Sequence, residues 1–214
     1  MEHRCAGIDT TLAEFVRDGD YPEQPDARAF GGFVEKAVLD AWSEFCDRWD
    51  VSPRDHPGRR TIYDASFVED GCVVGVDFRT KDLADDRYSD GGVCAVANLL
   101  RWMVRERGIL IIAEFGYTIV DGVAEFSYVA SAPVHALPLE TYRIENLGTG
   151  QLRLNQTIKQ SLPDIQWKRT PEEFFASFAP TCIAHYETVR ERAASRIEAV
   201  EAFIESGFTS ITLN

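Results

Sequence analysis

Apolar residues recur three and four apart in some stretches of the chain and every second residue in others, and that alternation predicts its elements. Thr11 and Glu14 make a capping-box signature for a short helix over about 11–18, and DGDYPEQPDARAFGG reads as loop. From Phe33, the residues Val34, Ala37, Val38, Ala41, Trp42 and Phe45 continue a helical stripe to about Trp49, where SPRDHPGRR breaks it. TIYDASFVED and GCVVGVDFRTK follow as two strands, joined at Asp70-Gly71, a dipeptide suited to a tight hairpin. After the polar loop DLADDRYSDGG, residues 93–107 read as a helix with Val93, Val96, Ala97, Leu100 and Val104 inward. GILIIAEFGYTI is apolar on both faces, as a strand buried on both sides would be, and GVAEFSYVASA pairs with it across Asp121-Gly122.

Beyond Pro138 the pattern is irregular until Thr170-Pro171-Glu172-Glu173, which combines an N-cap, a proline at the first helical position and a capping-box glutamate. A helix is expected from there to just before Pro180. A second is expected from Ile183 to Glu205, with Ile183, Tyr186, Ala193, Ile197, Val200 and Ile204 as a stripe for core or dimer packing. Helices interleaved with hairpins make the fold class α/β or α+β, and 214 residues suit a single domain, 1–214. Within it, 1–30 read as an N-terminal arm and 181–206 as a long C-terminal helix.

No run reaches the length of a membrane span and the N-terminus lacks a signal-peptide pattern, so a cytoplasmic protein is expected. Five scattered cysteines without a CxxC pair suggest buried thiols rather than zinc or disulfides. The net charge of −13 argues against a protein that coats DNA with a general basic surface. With 4 Lys against 18 Arg and 17 Asp, the bias is of the kind found in salt-adapted proteins. Charge is also uneven: residues 1–90 hold 21 acids and 11 bases, whereas 143–169 hold Arg143, Arg153, Lys159, Lys168 and Arg169 against Glu145 and Asp164. The four histidines lie far apart, and no GxSxG or Walker-type loop is present.

Chemistry concentrates in the first hairpin. Phosphodiester hydrolysis needs a divalent cation on hard oxygen ligands and a positive group near the scissile phosphate. Asp64 and Asp77, one on each arm, can converge on such a cation, and Asp77, Arg79 and Lys81 share one face of their strand. Asp77 follows Val73, Val74 and Val76, where a buried carboxylate needs a partner. The plain alternative is a structural ion pair with Arg79 or Lys81. Glu114, inside ILIIAEFGY, is a rival buried acid: a reserve ligand, or the partner of an arginine.

Asp64, followed across a hairpin by Val76-Asp77-Phe78-Arg79-Thr80-Lys81, resembles the PD-(D/E)xK nuclease motif, and the likeness extends to blunt-cutting restriction endonucleases of the HincII and EcoRV type. Gly32-Phe33-Val34-Glu35-Lys36 is similar to their first helix, with its acid near the metal. Arg169-Thr170-Pro171-Glu172-Glu173-Phe174 and the terminal helix are similar to the HincII C-terminal region, so that the resemblance covers about residues 28–205. It implies a restriction-endonuclease-like fold, with a central mixed sheet flanked by helices. It also implies a Mg²⁺-dependent (or Mn²⁺-dependent) type II endodeoxyribonuclease that acts as a homodimer on specific double-stranded DNA sites. Asp64 and Asp77 would be the metal ligands, and Glu35, Arg79 and Lys81 would complete the catalytic set.

The recognition segment then falls in 143–169, with Asn146, Thr149, Gln151 and Arg153 as base-contacting residues. Arg87, Tyr88 and Asn98 are further DNA-binding candidates. One position departs from the pattern: Arg79 stands where lysine is usual, and arginine cannot act as a neutral base. Three readings stand: Arg79 replaces the lysine in charge stabilisation, Lys81 supplies the amine, or catalysis is lost and DNA binding retained. An interaction protein unrelated to nucleic acid is the alternative outside this class.

Overall fold

Helix α1 (Glu2–Arg17), α2 (Ala27–Asp40) and α3 (Trp42–Arg48) lead into the short strand β1 (Ser52–Pro53) and the hairpin β2 (Ala65–Glu69) and β3 (Cys72–Asp82). Next come β4 (Gly92–Ala95), α4 (Val96–Glu106), the hairpin β5 (Ile109–Val120) and β6 (Val123–Pro133), and strands β7 (Tyr142–Glu145) and β8 (Gln151–Leu154). A single helical turn, α5 (Ile158–Ser161), and a 35-residue helix, α6 (Pro171–Glu205), close the chain. This computed structural model describes residues 2–23, 27–54, 61–85, 92–145 and 150–206.

Two sheets result. The larger runs β1-β2-β3-β5-β6, antiparallel except for the β3–β5 pair, and the smaller runs β4-β8-β7. The parallel pair needs a crossover, which β4 and α4 supply. Both hairpins turn where expected: Asp70 and Gly71 have φ of 50° and 75°, and Asp121 and Gly122 have 51° and 82°. Positive φ at both central residues is the turn whose twist matches that of paired strands.

Strand alternation divides the core in two. Val74, Val76 and Phe78 of β3 join Ile111, Ala113, Phe115 and Tyr117 of β5 under α1, α2 and α3. Leu110 and Ile112 face the other way, onto Val93, Leu99, Met103, Leu152, Ile158, Phe174 and Phe178. Asp77, Arg79 and Lys81 lie on that second face, opposite the helices α1–α3. The expected mixed α/β architecture, with a central mixed sheet flanked by helices, is present.

Several elements differ from expectation. The helix expected over 11–18 begins at Glu2, because Cys5, Ile8, Leu12 and Phe15 form one buried stripe against the sheet. Thr11 lies inside it and donates back to the Gly7 carbonyl at 3.2 Å instead of capping. The N-terminal stretch is therefore part of the core rather than an arm. The stretch read as loop to residue 32 is helical from Ala27, and the long helix from Phe33 divides at Ala41 into α2 and α3. Gly31 lets α2 approach the sheet: a Cβ there would stand 3.1 Å from Thr80 Oγ1.

Residues 93–107 are a strand and then a helix, whose buried face is Val96, Leu99 and Met103, one position out of phase, with Val104 exposed. The irregular region holds β7 and β8 of the second sheet, each four residues long and too short for periodicity to reveal. Pro180 does not stop α6. The cost of a proline in a helix, about 3 kcal/mol, is offset because Phe174, Phe178 and Cys182 on both sides of it pack into the core. The Thr170 capping box forms as read, with Glu173 N donating to Thr170 Oγ1 at 3.2 Å.

Candidate active site and nucleic-acid interface

Asp64 stands one residue before β2. Its amide still donates to the Val76 carbonyl at 2.9 Å, so it extends the ladder by one rung. The β2–β3 pairing goes no further, and the Asp64 carboxylate accepts the next amide along β3, Phe78 N, at 2.7 Å. This bond fixes the carboxylate beside Asp77, whose own side chain is 6% exposed. Arg79, two residues on and on the same face, clamps it: Nε donates to one Asp77 oxygen at 2.5 Å and Nη2 to the other at 2.7 Å. Nη2 also donates to the Val93 carbonyl of β4 at 3.2 Å, which fixes the guanidinium against the crossover.

Burial pushes the Asp77 carboxyl up to about 7, outweighing the downward pull of Arg79, and Asp64 and Glu35 add to the rise. The same contact strengthens the hold of Arg79 on its proton. Asp64 and Asp77 thus both act on Arg79, and the charge of Glu35 reaches Asp77 as well. The plain alternative for Asp77, an ion pair with Arg79, is present.

Lys81 lies further along the face. It is buried, and its Nζ donates to the Asp85 carbonyl at 2.5 Å. Glu114 sits opposite Arg79 in the parallel register, but among the described residues it is bonded to no arginine. It accepts the Tyr128 hydroxyl at 2.8 Å and the amides of Ile158 and Lys159 at the start of α5, while the charge of Lys81 favours its ionised form. Arg79 is therefore the cation bonded to Asp77, and Lys81 belongs to the neighbourhood of Glu114. Tyr128, which carries Glu114 and lies under the Lys159 ammonium at 4.4 Å, was not singled out in the sequence; its pairing across β5 and β6 is the signal that could have found it.

Of the residues expected to contact DNA, Arg87, Tyr88, Asn146 and Thr149 lie outside the described residues. Gln151 and Arg153 lie on β8. Arg153 shares Glu145 with Arg143, at 3.0 and 2.8 Å, and the Gln151 amide fills the space over Gly92. Asn98 lines a cleft of about 300 Å³ whose wall includes Tyr63, the residue before Asp64. Asn98, Arg101, Trp102 and Arg105 project into it from one face of α4, and Arg54 enters from the β1 side, held by Glu106 at 3.3 Å. Arg101 and Arg105, an exposed like-charge pair four residues apart, were not singled out in the sequence, although that spacing is legible in it.

The donor chemistry suits a divalent cation: Asp64 and Asp77 offer hard oxygens within an excess of negative charge. Mg²⁺ is commonly held by one or two carboxylates with water and substrate completing the shell. Among the described residues no group of three His, Cys, Asp or Glu side chains is arranged to hold a metal by itself. No described helix is long and apolar enough to cross a membrane. A scan of protein-family models finds none that matches the chain, and a search of curated proteins returns no match.

Proposed function

We propose that the protein is a divalent-metal-dependent endodeoxyribonuclease of the type II restriction kind. The observation that carries this reading is Asp64 locked by the Phe78 amide beside the buried, arginine-clamped Asp77. Asp64 and Asp77 hold the cation, Mg²⁺ or Mn²⁺, with Glu35 adding to the local negative charge that attracts it. The bound cation supplies an activated water and neutralises charge on the phosphate. Arg79 releases one Asp77 oxygen and turns its freed N–H groups to the phosphate, where a planar guanidinium can stabilise the charge that builds up during hydrolysis. It takes no proton from water, because it stays protonated.

Double-stranded DNA is the partner, its backbone approached from the arginine-lined cleft on α4 and its bases read from the region of Gln151 and Arg153. Two copies, each cutting one strand, would act on a palindromic site.

The test is nicking and linearisation of mixed plasmid DNA with Mg²⁺ or Mn²⁺, wild type against Asp77→Ala. Cleavage by the wild type and its loss in the variant is the expected result. A second reading, a DNA-binding protein without turnover, is favoured by one feature: Arg79 occupies both oxygens of Asp77. A retained shift of labelled duplex with no cleavage in either metal would select it. Neither cleavage nor shift would exclude both readings.

A further inference from the structure

The cleft beside α4 has walls of two kinds. Tyr63 and Trp102 form an aromatic corner, their ring centroids 5.7 Å apart and their planes at 52°. Each ring rests on a glycine: a Cβ at Gly75 would stand 2.7 Å from Tyr63 Cδ1, and one at Gly108 would stand 2.5 Å from Trp102 Cζ2. Backbone thus fixes the corner from behind, while Trp102 stays only partly buried. Gly75 precedes Asp77 by two residues on the same face of β3, so the corner adjoins the Asp64–Asp77 site.

The other wall is cationic. Asn98, Arg101, Trp102 and Arg105 fall within an arc of about 100° on α4. Arg54 is answered by Glu106 at 3.3 Å, and Arg101 donates to the neutral Asn98 Oδ1 at 3.3 Å. Among the described residues no acid pairs with Arg101 or Arg105. Two cations four apart on a helix repel, and these two stand unopposed in a chain whose net charge is −13. A phosphate monoester, with about 1.5 to 2 negative charges at pH 7, is the kind of group that relieves them.

A flat ring joined to a phosphate uses both walls. The cleft volume of about 300 Å³ is at the small end of small-molecule sites. A base can stack on the indole of Trp102, two guanidinium groups can clamp the phosphate, and the Asn98 amide, both donor and acceptor, can meet the edge of an adenine. Contact with the backbone of a duplex uses the arginines but not the corner. We propose that this cleft binds one unpaired nucleotide, its base against Trp102 and its 5′-phosphate on Arg101 and Arg105. The site stands on the cleft's own residues, and its test needs neither cleavage nor a metal ion.

Isothermal titration calorimetry in EDTA, with dAMP as the probe, reads the site. Wild type is expected to bind dAMP with a Kd at or below about 1 mM. It should bind deoxyribose 5-phosphate at least about fivefold more weakly, since that probe lacks the base that stacks. Arg101→Ala and Arg105→Ala should each weaken dAMP at least about tenfold, as the loss of a bond to a charged group does. Both side chains are exposed, so the fold is expected to survive these changes. Trp102→Leu should bring dAMP down to the level of deoxyribose 5-phosphate; should that variant unfold, the two probes compared on wild type still measure the share of the base. No binding of dAMP up to about 5 mM overturns the proposal. So does deoxyribose 5-phosphate binding as tightly as dAMP, or dAMP binding indifferent to both arginine variants. Given dAMP binding, a 5′-phosphorylated adenine trinucleotide that binds more tightly assigns the occupant to the end of a strand, and one that binds more weakly assigns it to the free nucleotide. Plasmid DNA left uncut leaves each of these results as informative as before.

Discussion

Replacing Arg79 with methionine keeps much of the aliphatic stem but removes both bonds to Asp77, at 2.5 and 2.7 Å, and leaves a carboxylate whose side chain is only 6% exposed. Removing one partner of a buried ion pair costs about 3–5 kcal/mol, because the other charge stays buried. The Arg79 side chain is 23% exposed, so the lower end applies, about 3 kcal/mol at pH 8.

The cost depends on pH. Asp77 in the folded protein stands at about 7, above its ordinary 3.8, because burial opposes its charge. A carboxyl raised in this way binds a proton more readily in the folded state. Its stabilising contribution is therefore full below the unfolded value and is lost as pH rises through the folded one, here between about 4 and about 7. Without Arg79 the folded value climbs further, adding about 1.4 kcal/mol of penalty at pH 8 for each unit. At pH 5 the carboxyl is already protonated in both proteins, and the penalty should fall to about 1 kcal/mol.

Urea unfolding followed by circular dichroism at pH 5 and pH 8 reads both values. Adding Asp77→Asn to the methionine variant should recover most of the loss at pH 8. Equal losses at the two pH values, with no recovery from Asp77→Asn, would refute the account of a carboxyl held against burial by Arg79.

Two further outcomes follow from the same geometry. If Asp77 must be ionised to bind the cation, cleavage at fixed Mg²⁺ should rise with pH through about 7, and higher Mg²⁺ should shift the midpoint down; a profile flat from pH 6 to 8 would contradict this. Arg101→Ala with Arg105→Ala should weaken duplex binding and lower the slope of log affinity against log salt by about two, because two phosphate contacts are lost; an unchanged slope would remove the α4 cleft from the interface.

The hairpins, the mixed fold class and the start of α6 were legible in the sequence because each rests on a local rule. Asp70-Gly71 and Asp121-Gly122 adopt the backbone a two-residue turn requires, and Thr170-Pro171-Glu172-Glu173 satisfies its own helix end. The placement of Asp77, Arg79 and Lys81 on one face of β3 follows from the two-residue period of a strand and needs no partner to define it. Other features depend on residues distant in the chain. Glu114 was legible as a buried acid, but its partners, Tyr128 and the α5 amides, come from two other elements. That Arg79, rather than Lys81, reaches Asp77 is a matter of side-chain reach on the folded sheet, with Val93 of the crossover fixing the guanidinium.

Periodicity reported which positions of α6 are apolar, but not whether anything lies against them. Phe174 and Phe178 near its start are buried, whereas Ile183, Ile197, Val200 and Ile204 further along are open to solvent. Continuity through Pro180 likewise depended on packing, since the local cost of a proline is outweighed only where the flanking turns have a core to enter. The sequence alone thus determined where the two hairpin turns, the Thr170 cap and the faces of β3 fall, because these are settled within a few residues. Burial, ion pairing and free faces were decided by the tertiary structure, because each depends on which distant segment comes to lie alongside.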